Sequence, residues 1–225
     1  MDVAYMASVL PRLLPALWLT IEISMISLVL ALVIGINLGT LQSYLRPGHP
    51  VRRLLRVYVF FVRGTPVLVQ IFGAFFLLPV LGIELSPFWV GVIALTFNSA
   101  GYQIEIARSA IESIDKGQRE GGLALGLEAW QVQWLIMLPQ ALRRMIPPLT
   151  NELSQVVKAS SVLSVISVFE LHKASNAIAS TSFKYIEVLT LQAALYFIVI
   201  HGLSLLSRHL ENRLPGGSKL ASAVR

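Results

Sequence analysis

Two sets of residues in this chain have types and spacings that could do chemistry. The first is a charged, glycine-punctuated stretch: Lys116-Gly117-Gln118, then Glu120-Gly121-Gly122, then Gly126, and further on Ile136, Leu138 and Pro139. Such a stretch is out of place in a mostly apolar chain. Its apolar members, Leu123, Leu125, Leu127 and Trp130, suit either a groove on a protein partner or a lipid surface. The second set is a scatter of polar groups inside apolar runs: Glu22, Gln70, Asn98, Glu105, Glu152, Gln155, Lys158 and Gln192, with Asn151 beside Glu152. Such groups are expensive in hydrocarbon and usually line a cavity or a pathway. Neither set suggests an enzyme. The four histidines (His49, His172, His201 and His209) lack metal-ligand spacing, and Ser204, at i+3 from His201, is a spacing common by chance. There is no cysteine, and no glycine-rich loop ending in Gly-Lys-Ser/Thr to cradle a nucleotide. No metal or cofactor is expected on this chain, and energy from ATP would have to come from a partner.

The elements that position these residues follow from composition. Of 225 residues, 55% are apolar and 13% charged, and the mean hydropathy is +0.70. A soluble domain carries about 25% charged residues, so this chain reads as an integral membrane protein. The net charge of +6 does not indicate nucleic acid, because the basic residues sit in short groups between apolar runs and not on one polar face. Met1-Asp2 is acidic where a secretory leader would be basic, so the first apolar run is expected to stay in the membrane.

Five apolar runs predict five spans: about 17–41, 57–79, 88–111, 145–170 and 186–207. Each approaches the ~20 residues a bilayer requires. Residues 1–16, with Pro11 and Pro15, read as an interfacial lead-in on the outer side, and 211–225 as a cytoplasmic tail. Twelve basic residues fall on one set of connections: Arg46, Arg52, Arg53 and Arg56; Lys116, Arg119, Arg143 and Arg144; Arg208, Arg213, Lys219 and Arg225. Only Arg12, Lys173 and Lys184 fall on the other. That asymmetry places the 112–144 loop and the C-terminus in the cytoplasm and the N-terminus outside.

Within the loop, Glu112 and Lys116 are spaced as an i, i+4 pair. Asp115 and Gly117 mark a break, after which a short helix is expected, with Glu120 in its first turn where a carboxylate suits the helix dipole. Gly126 would let the chain turn, and Leu138-Pro139 would start the return. Glu105 and Arg108, at i and i+3, are spaced as an ion pair. Glu152 and Lys158 lie about 240° apart around a helix and do not face each other. Pro66, Pro147 and Pro148 free backbone groups in or beside spans, which is tolerated where protein or water satisfies them.

The loop spacing resembles the coupling loop of ABC importer permeases: Glu-Ala-Ala, three residues, Gly, nine residues, Ile, any residue, Leu-Pro. Here both alanines are glycine, Gly121 and Gly122. The resemblance covers roughly residues 17–210 and is to the polar amino-acid branch, the histidine and glutamine permease type. It rests on Tyr58 with Phe61-Val62-Arg63-Gly64-Thr65-Pro66 and Val69-Gln70; on Tyr102, Glu105-Ile106 and Arg108; on Lys116-Gly117-Gln118; on Leu138-Pro139-Gln140-Ala141; and on Pro148, Asn151-Glu152, Lys158 and Ser161. Ala159-Ser160 replaces the aspartate-threonine common in that family.

What the resemblance implies is an all-α, five-span type I importer permease of the bacterial inner membrane with a cytoplasmic coupling-helix loop. It would work with a second permease chain, two ATP-binding subunits that bind ATP and Mg, and an amino-acid-binding protein outside. It makes Lys116, Gly117, Gln118, Glu120, Gly121, Gly122, Gly126, Leu138 and Pro139 the ATPase-coupling residues. The interior polar groups Glu152, Asn151, Gln70, Asn98 and Gln155 are the substrate candidates. A secondary transporter or channel is the rival reading, but it has no use for a docking loop, and five spans do not divide into inverted halves.

Overall fold

Apolar runs long enough to be continuous, interrupted by proline and glycine at few places, fold as helices. The computed structural model describes residues 2–213, all of whose regular structure is helical. The expected tail positions 214–225, with Lys219 and Arg225, lie outside the described residues. The helices are α1 (Val3–Tyr44), α2 (Pro50–Gly64), α3 (Val67–Val80), α4 (Pro87–Glu112) and α5 (Lys116–Ala124). A one-turn α6 (Ala129–Gln131) runs through a π-helical segment, Val132–Met137, into α7 (Leu138–Ala159). A tight 3-10 turn, Ser160–Ile166, then leads to α8 (Leu171–Ser182) and α9 (Tyr185–Arg213).

Two helices, α1 and the Tyr185–Ser207 part of α9, are each long and apolar enough to cross a membrane. The count reaches four when α2 with α3, and the α6-to-3-10 run with α8, are each taken as one broken span. At 26 residues α4 is roughly 39 Å long. It is diluted by Asn98, Ser99, Tyr102 and Gln103. The prolines of the lead-in do not stop a helix: α1 begins at Val3 and passes through Pro11 and Pro15. Each proline takes a donor from the carbonyl four residues back. The Asp2 carboxylate caps the start of the helix by accepting from Tyr5 N at 2.9 Å, and Val9, Leu13 and Ala16 hold the proline-containing turns by packing against Leu171, Ala174 and Leu195.

The chain divides into two compact units, each drawing on separated segments. The first comprises Met1–Leu30, Thr65–Ser99 and Leu153–Leu203. Its core is Ile23, Ile71, Val90, Leu95, Leu163 and Ile166. Here the fourth run breaks: α7 ends at Ala159, and Ser167 adopts a left-handed conformation at φ 66° that terminates the 3-10 turn. Glu170 caps α8, its carboxylate accepting from His172 N and Lys173 N, both at 2.8 Å. At the head of α9, Lys184 Nζ reaches Asp2 Oδ2 at 2.8 Å and lies 4.1 Å from the Tyr5 ring centre. That hydrogen bond holds the Asp2 carboxyl below, and the Lys184 ammonium above, their ordinary values.

The second unit comprises Ala31–Gly64, Ala100–Glu152 and the residues from Ser204 onward. Gly35 and Gly39 form a G-x-x-x-G pair on α1 that lets α4 approach closely. A Cβ on Gly39 would lie 2.5 Å from the Ala107 Cβ and 2.6 Å from the Ile104 carbonyl oxygen. Close backbone approach through small residues is a common way for helices to pack in lipid, where no hydrophobic force drives them together. Below this contact, Ile111, Ile114, Val132, Met137, Ala141 and Met145 are buried together under α5.

Candidate functional site

The glycine-punctuated segment is built by local hydrogen bonds. Asp115 caps α5, its carboxylate accepting from Gly117 N at 2.7 Å. Glu120 therefore sits in the second turn, not the first, and the acid at the positive end of the helix is Asp115. Nor does Glu112 pair with Lys116: α4 stops at Glu112, whose carboxylate meets Arg108 and, at 3.6 Å, Arg52. The stop of α5 is a Schellman motif. Gly126 N donates to Leu123 O at 3.0 Å and Leu127 N to Gly122 O at 3.2 Å, with Gly126 at φ +82°. Glu128 and Gln131 then form a reciprocal capping box for the next helix.

Two of the family-like stretches meet here. Gln140, just after Leu138-Pro139, donates to Gln118 Oε1 at 3.2 Å and to Ile136 O at 2.9 Å. Arg144 donates to Ser113 Oγ at 2.8 Å, tying α7 back to the end of α4. Gln133, buried in the π segment, donates to Ser43 Oγ on α1 at 2.7 Å. π segments often mark functional sites. Lys116, Gly117, Gln118, Glu120, Gly121, Gly126 and Pro139 are exposed, Leu138 is half-buried and Gly122 is buried. A Cβ on Gly122 would stand 2.8 Å from both Val132 Cγ2 and Ile136 Cδ1, whereas Gly121 faces open space. Leu125 is 83% exposed, and Leu135 is exposed as well. The outcome is a short, doubly capped helix held on a packed base with apolar side chains turned outward.

The interior polar candidates fall into different surroundings. Gln70 donates to Thr65 Oγ1 at 2.8 Å and to Thr65 O at 3.2 Å, and accepts from Asn98 Nδ2 at 3.0 Å. Proline at 66 has no N–H and begins α3 without a side-chain cap. Gln70 thus holds the backbone at the break, which gives the Gly-Thr-Pro and Val-Gln spacing a physical reason. Gln155, in the same unit, is exposed on α7. In the second unit Glu152 is buried and Asn151 exposed. The expected Glu105–Arg108 pair is present at 2.6 Å.

One buried carboxylate was not among the sequence candidates. Glu170 is fully buried, caps α8 and accepts from the Tyr196 hydroxyl at 3.1 Å. Beside it, His172 lies 3.0 Å from the side-chain amides of both Asn176 and Gln192. A lone acid at the edge of an apolar run reads as a solvated boundary; only its partner 26 residues on distinguishes it.

Residues 27–214 match the family described as "Binding-protein-dependent transport system inner membrane component". The glutamine transport system permease protein GlnP of Escherichia coli is 36% identical over 207 residues, covering 91% of this chain and 94% of that protein. The arginine transport system permease protein ArtQ of Bacillus subtilis is 31% identical, covering 91% and 93%. The L-cystine transport system permease protein TcyB of Bacillus subtilis is 35% identical, covering 91% and 87%. Among solved structures, an amino acid ABC transporter crystallised with histidines superposes with a TM-score of 0.85 at 28% identity, covering 95% of this chain and 99% of that one. The MetNI methionine ABC transporter in an inward-facing conformation shares the fold, with a TM-score of 0.79 at 19% identity. This chain has the all-α fold of type I ABC importer permeases and belongs to the binding-protein-dependent transport system inner membrane components.

Proposed function

We propose that this chain is the permease subunit of an ATP-driven importer that moves a polar amino acid, or a closely related compound, across the bacterial inner membrane. The observation that carries the reading is the exposed, doubly capped helix at 116–124, which keeps its shape by its own hydrogen bonds and turns Leu125 outward. A secondary transporter has no use for such a projection. The partners are two ATP-binding subunits that hold ATP and Mg, a second permease chain of the same or a related kind, and an amino-acid-binding protein on the outer face. The loop at 112–144 and the C-terminus are cytoplasmic, the N-terminus is outside, and this chain hydrolyses nothing itself.

Glu120→Lys reverses a charge on the exposed face of α5 without touching its caps. Membrane insertion should persist while recovery of the ATPase in a detergent pull-down falls. Unchanged recovery together with unchanged ATP-dependent uptake would remove the segment from this role. Orientation is checked separately: a cysteine at Ser86 should react with an impermeant reagent in intact cells, and one at Ser218 should not.

For the substrate, Glu152 is the best-placed acid to meet an ammonium group, because it is buried on α7 one turn beyond Pro148. Asn151 and Gln155 are exposed nearby in sequence, while Gln70 and Asn98 already serve the α3 break. Glu152→Gln should abolish stimulation of ATP hydrolysis by substrate and leave basal hydrolysis in place. Full stimulation in that variant would put recognition elsewhere.

A further inference from the structure

We propose that the second unit carries a site for an anionic glycerophospholipid of the inner leaflet, with the phosphate among arginines of α2 and α4. This rests on the orientation proposed above. A hollow of about 740 Å³ is bordered by Arg52, Arg56, Arg63 and Arg108, with Glu105 as the one carboxylate in its lining. That carboxylate is already engaged by Arg108. Glu112, outside the lining, serves Arg108 and Arg52. Arg56 has no ion-pair partner among the described residues, and Arg63 lies over the face of Tyr102, 5.9 Å from its guanidinium carbon, sharing the attraction of Glu105 with Arg108. The hollow therefore carries uncompensated positive charge.

Two further observations specify what fills it. Gln42, 1% exposed and part of the same lining, has a side-chain oxygen with no hydrogen-bond partner. A phosphodiester has no proton to give that oxygen, but a headgroup hydroxyl can donate to it. Along α2, apolar side chains stand in the open beside the arginines: Phe60 at 82%, with Leu54, Val57 and Phe61 also exposed. Hydroxyl, phosphate and hydrocarbon together describe a phosphatidylglycerol-like lipid, its headgroup in the hollow and its chains along α2. Basic pockets between helices near the cytoplasmic surface are suited to anionic headgroups. An acidic surface on a cytoplasmic partner would meet the arginines but leave Phe60 uncovered.

The full chain is purified in detergent, stripped of lipid, and titrated with phosphatidylglycerol, phosphatidylcholine or inorganic phosphate, with bound lipid read by native mass spectrometry. This readout does not depend on orientation or on coupling to an ATPase, so its failure is separate from theirs. Saturable retention of phosphatidylglycerol over phosphatidylcholine is expected, with Arg56→Gln weakening it about fivefold, the loss expected for one arginine near an anionic surface. Arg53→Gln removes the same charge from the same helix but outside the lining, and should weaken retention less. Equal losses in the two variants would reduce the effect to general surface charge and overturn the site. Displacement of the lipid by millimolar inorganic phosphate would make it a free-anion site, and absence of any preference for phosphatidylglycerol would remove it. If Arg56→Gln lowers recovery of the ATPase and spares lipid retention, the arginines belong to a protein contact and the proposal fails.

Discussion

The α5 segment and the interior polar groups of the first unit are both held by hydrogen bonds, but the bonds span very different lengths of chain. In the segment, Asp115 reaches Gly117, Leu127 reaches back to Gly122, and Glu128 pairs with Gln131. In the first unit, Gln70 meets Asn98 28 residues away, Glu170 meets Tyr196 26 residues away, and Thr20 accepts from Leu171 N across 151 residues. Short closures can be written into a spacing, and long ones cannot. The surface helix is a motif in sequence because its backbone demands particular residues a few positions apart. The buried network is made of individually ordinary residues that become a structure only when the helices pack.

The comparison breaks most visibly at Glu170. Glu170→Ala would leave two half-buried backbone N–H groups without their acceptor and take one of its partners from the Tyr196 hydroxyl. A loss of about 3 kcal/mol is expected, read as a fall in the unfolding midpoint of the purified chain. Glu170→Gln keeps a carbonyl acceptor and should cost less; equal costs would mean that the charge, and not the acceptor, matters. In the local segment the largest effect belongs to Gly126. Gly126→Val forces a β-branched residue to φ +82° and should cost about 1–2 kcal/mol, while Gly126→Asn should retain most of the stability. The cost arises from the backbone alone, since nothing lies within 4 Å of a Cβ there.

A finer contrast lies between two neighbouring glycines. Gly121→Ala places a methyl in open space and should stabilise α5 by about 0.5–1 kcal/mol, the usual gain of Ala over Gly in a helix. Gly122→Ala drives the same methyl into Val132 and Ile136 and should cancel or reverse that gain. Thermal unfolding of both variants with the same sign and size would show that the base under α5 is slack. The smallest effect is at the Asp2–Lys184 contact, which lies at the surface with both side chains partly exposed. Because Asp2 is held below its ordinary value, its contribution is present above the unfolded carboxyl pKa and fades as pH falls through the lower folded one. Because Lys184 is raised, its contribution is present below the unfolded amine pKa and fades as pH rises through the higher folded one. Asp2→Asn should lower the middle of the stability–pH curve slightly and leave its acid and alkaline ends unchanged, so that the curve flattens.

The sequence announced the surface helix, its break at Asp115 and Gly117, and its turn at Gly126, because each is a local backbone requirement. It misplaced Glu120 by a turn, since spacing within a motif does not say which residue caps the helix. Lys116 was given a partner that Arg108 and Arg52 in fact take, because the end of α4 separates Glu112 from the next helix. Pro11 and Pro15 pointed to an interfacial lead-in, and spacing alone did not show that α1 runs continuously through both. Glu170 stayed invisible at the edge of an apolar run, and the meaning of Gln70 emerged only when the carbonyl of Thr65 was seen to need a donor.

The glycine at 122 also has a consequence for how such chains can diverge. Its missing methyl and the Val132 side chain occupy adjoining space under α5, so neither position is free to change by itself. A relative that carries alanine at 122 should carry a smaller or differently shaped residue at 132 or 136. The swap Gly122→Ala with Val132→Ala should then be tolerated better than Gly122→Ala alone, making the two positions a compensating pair ten residues apart.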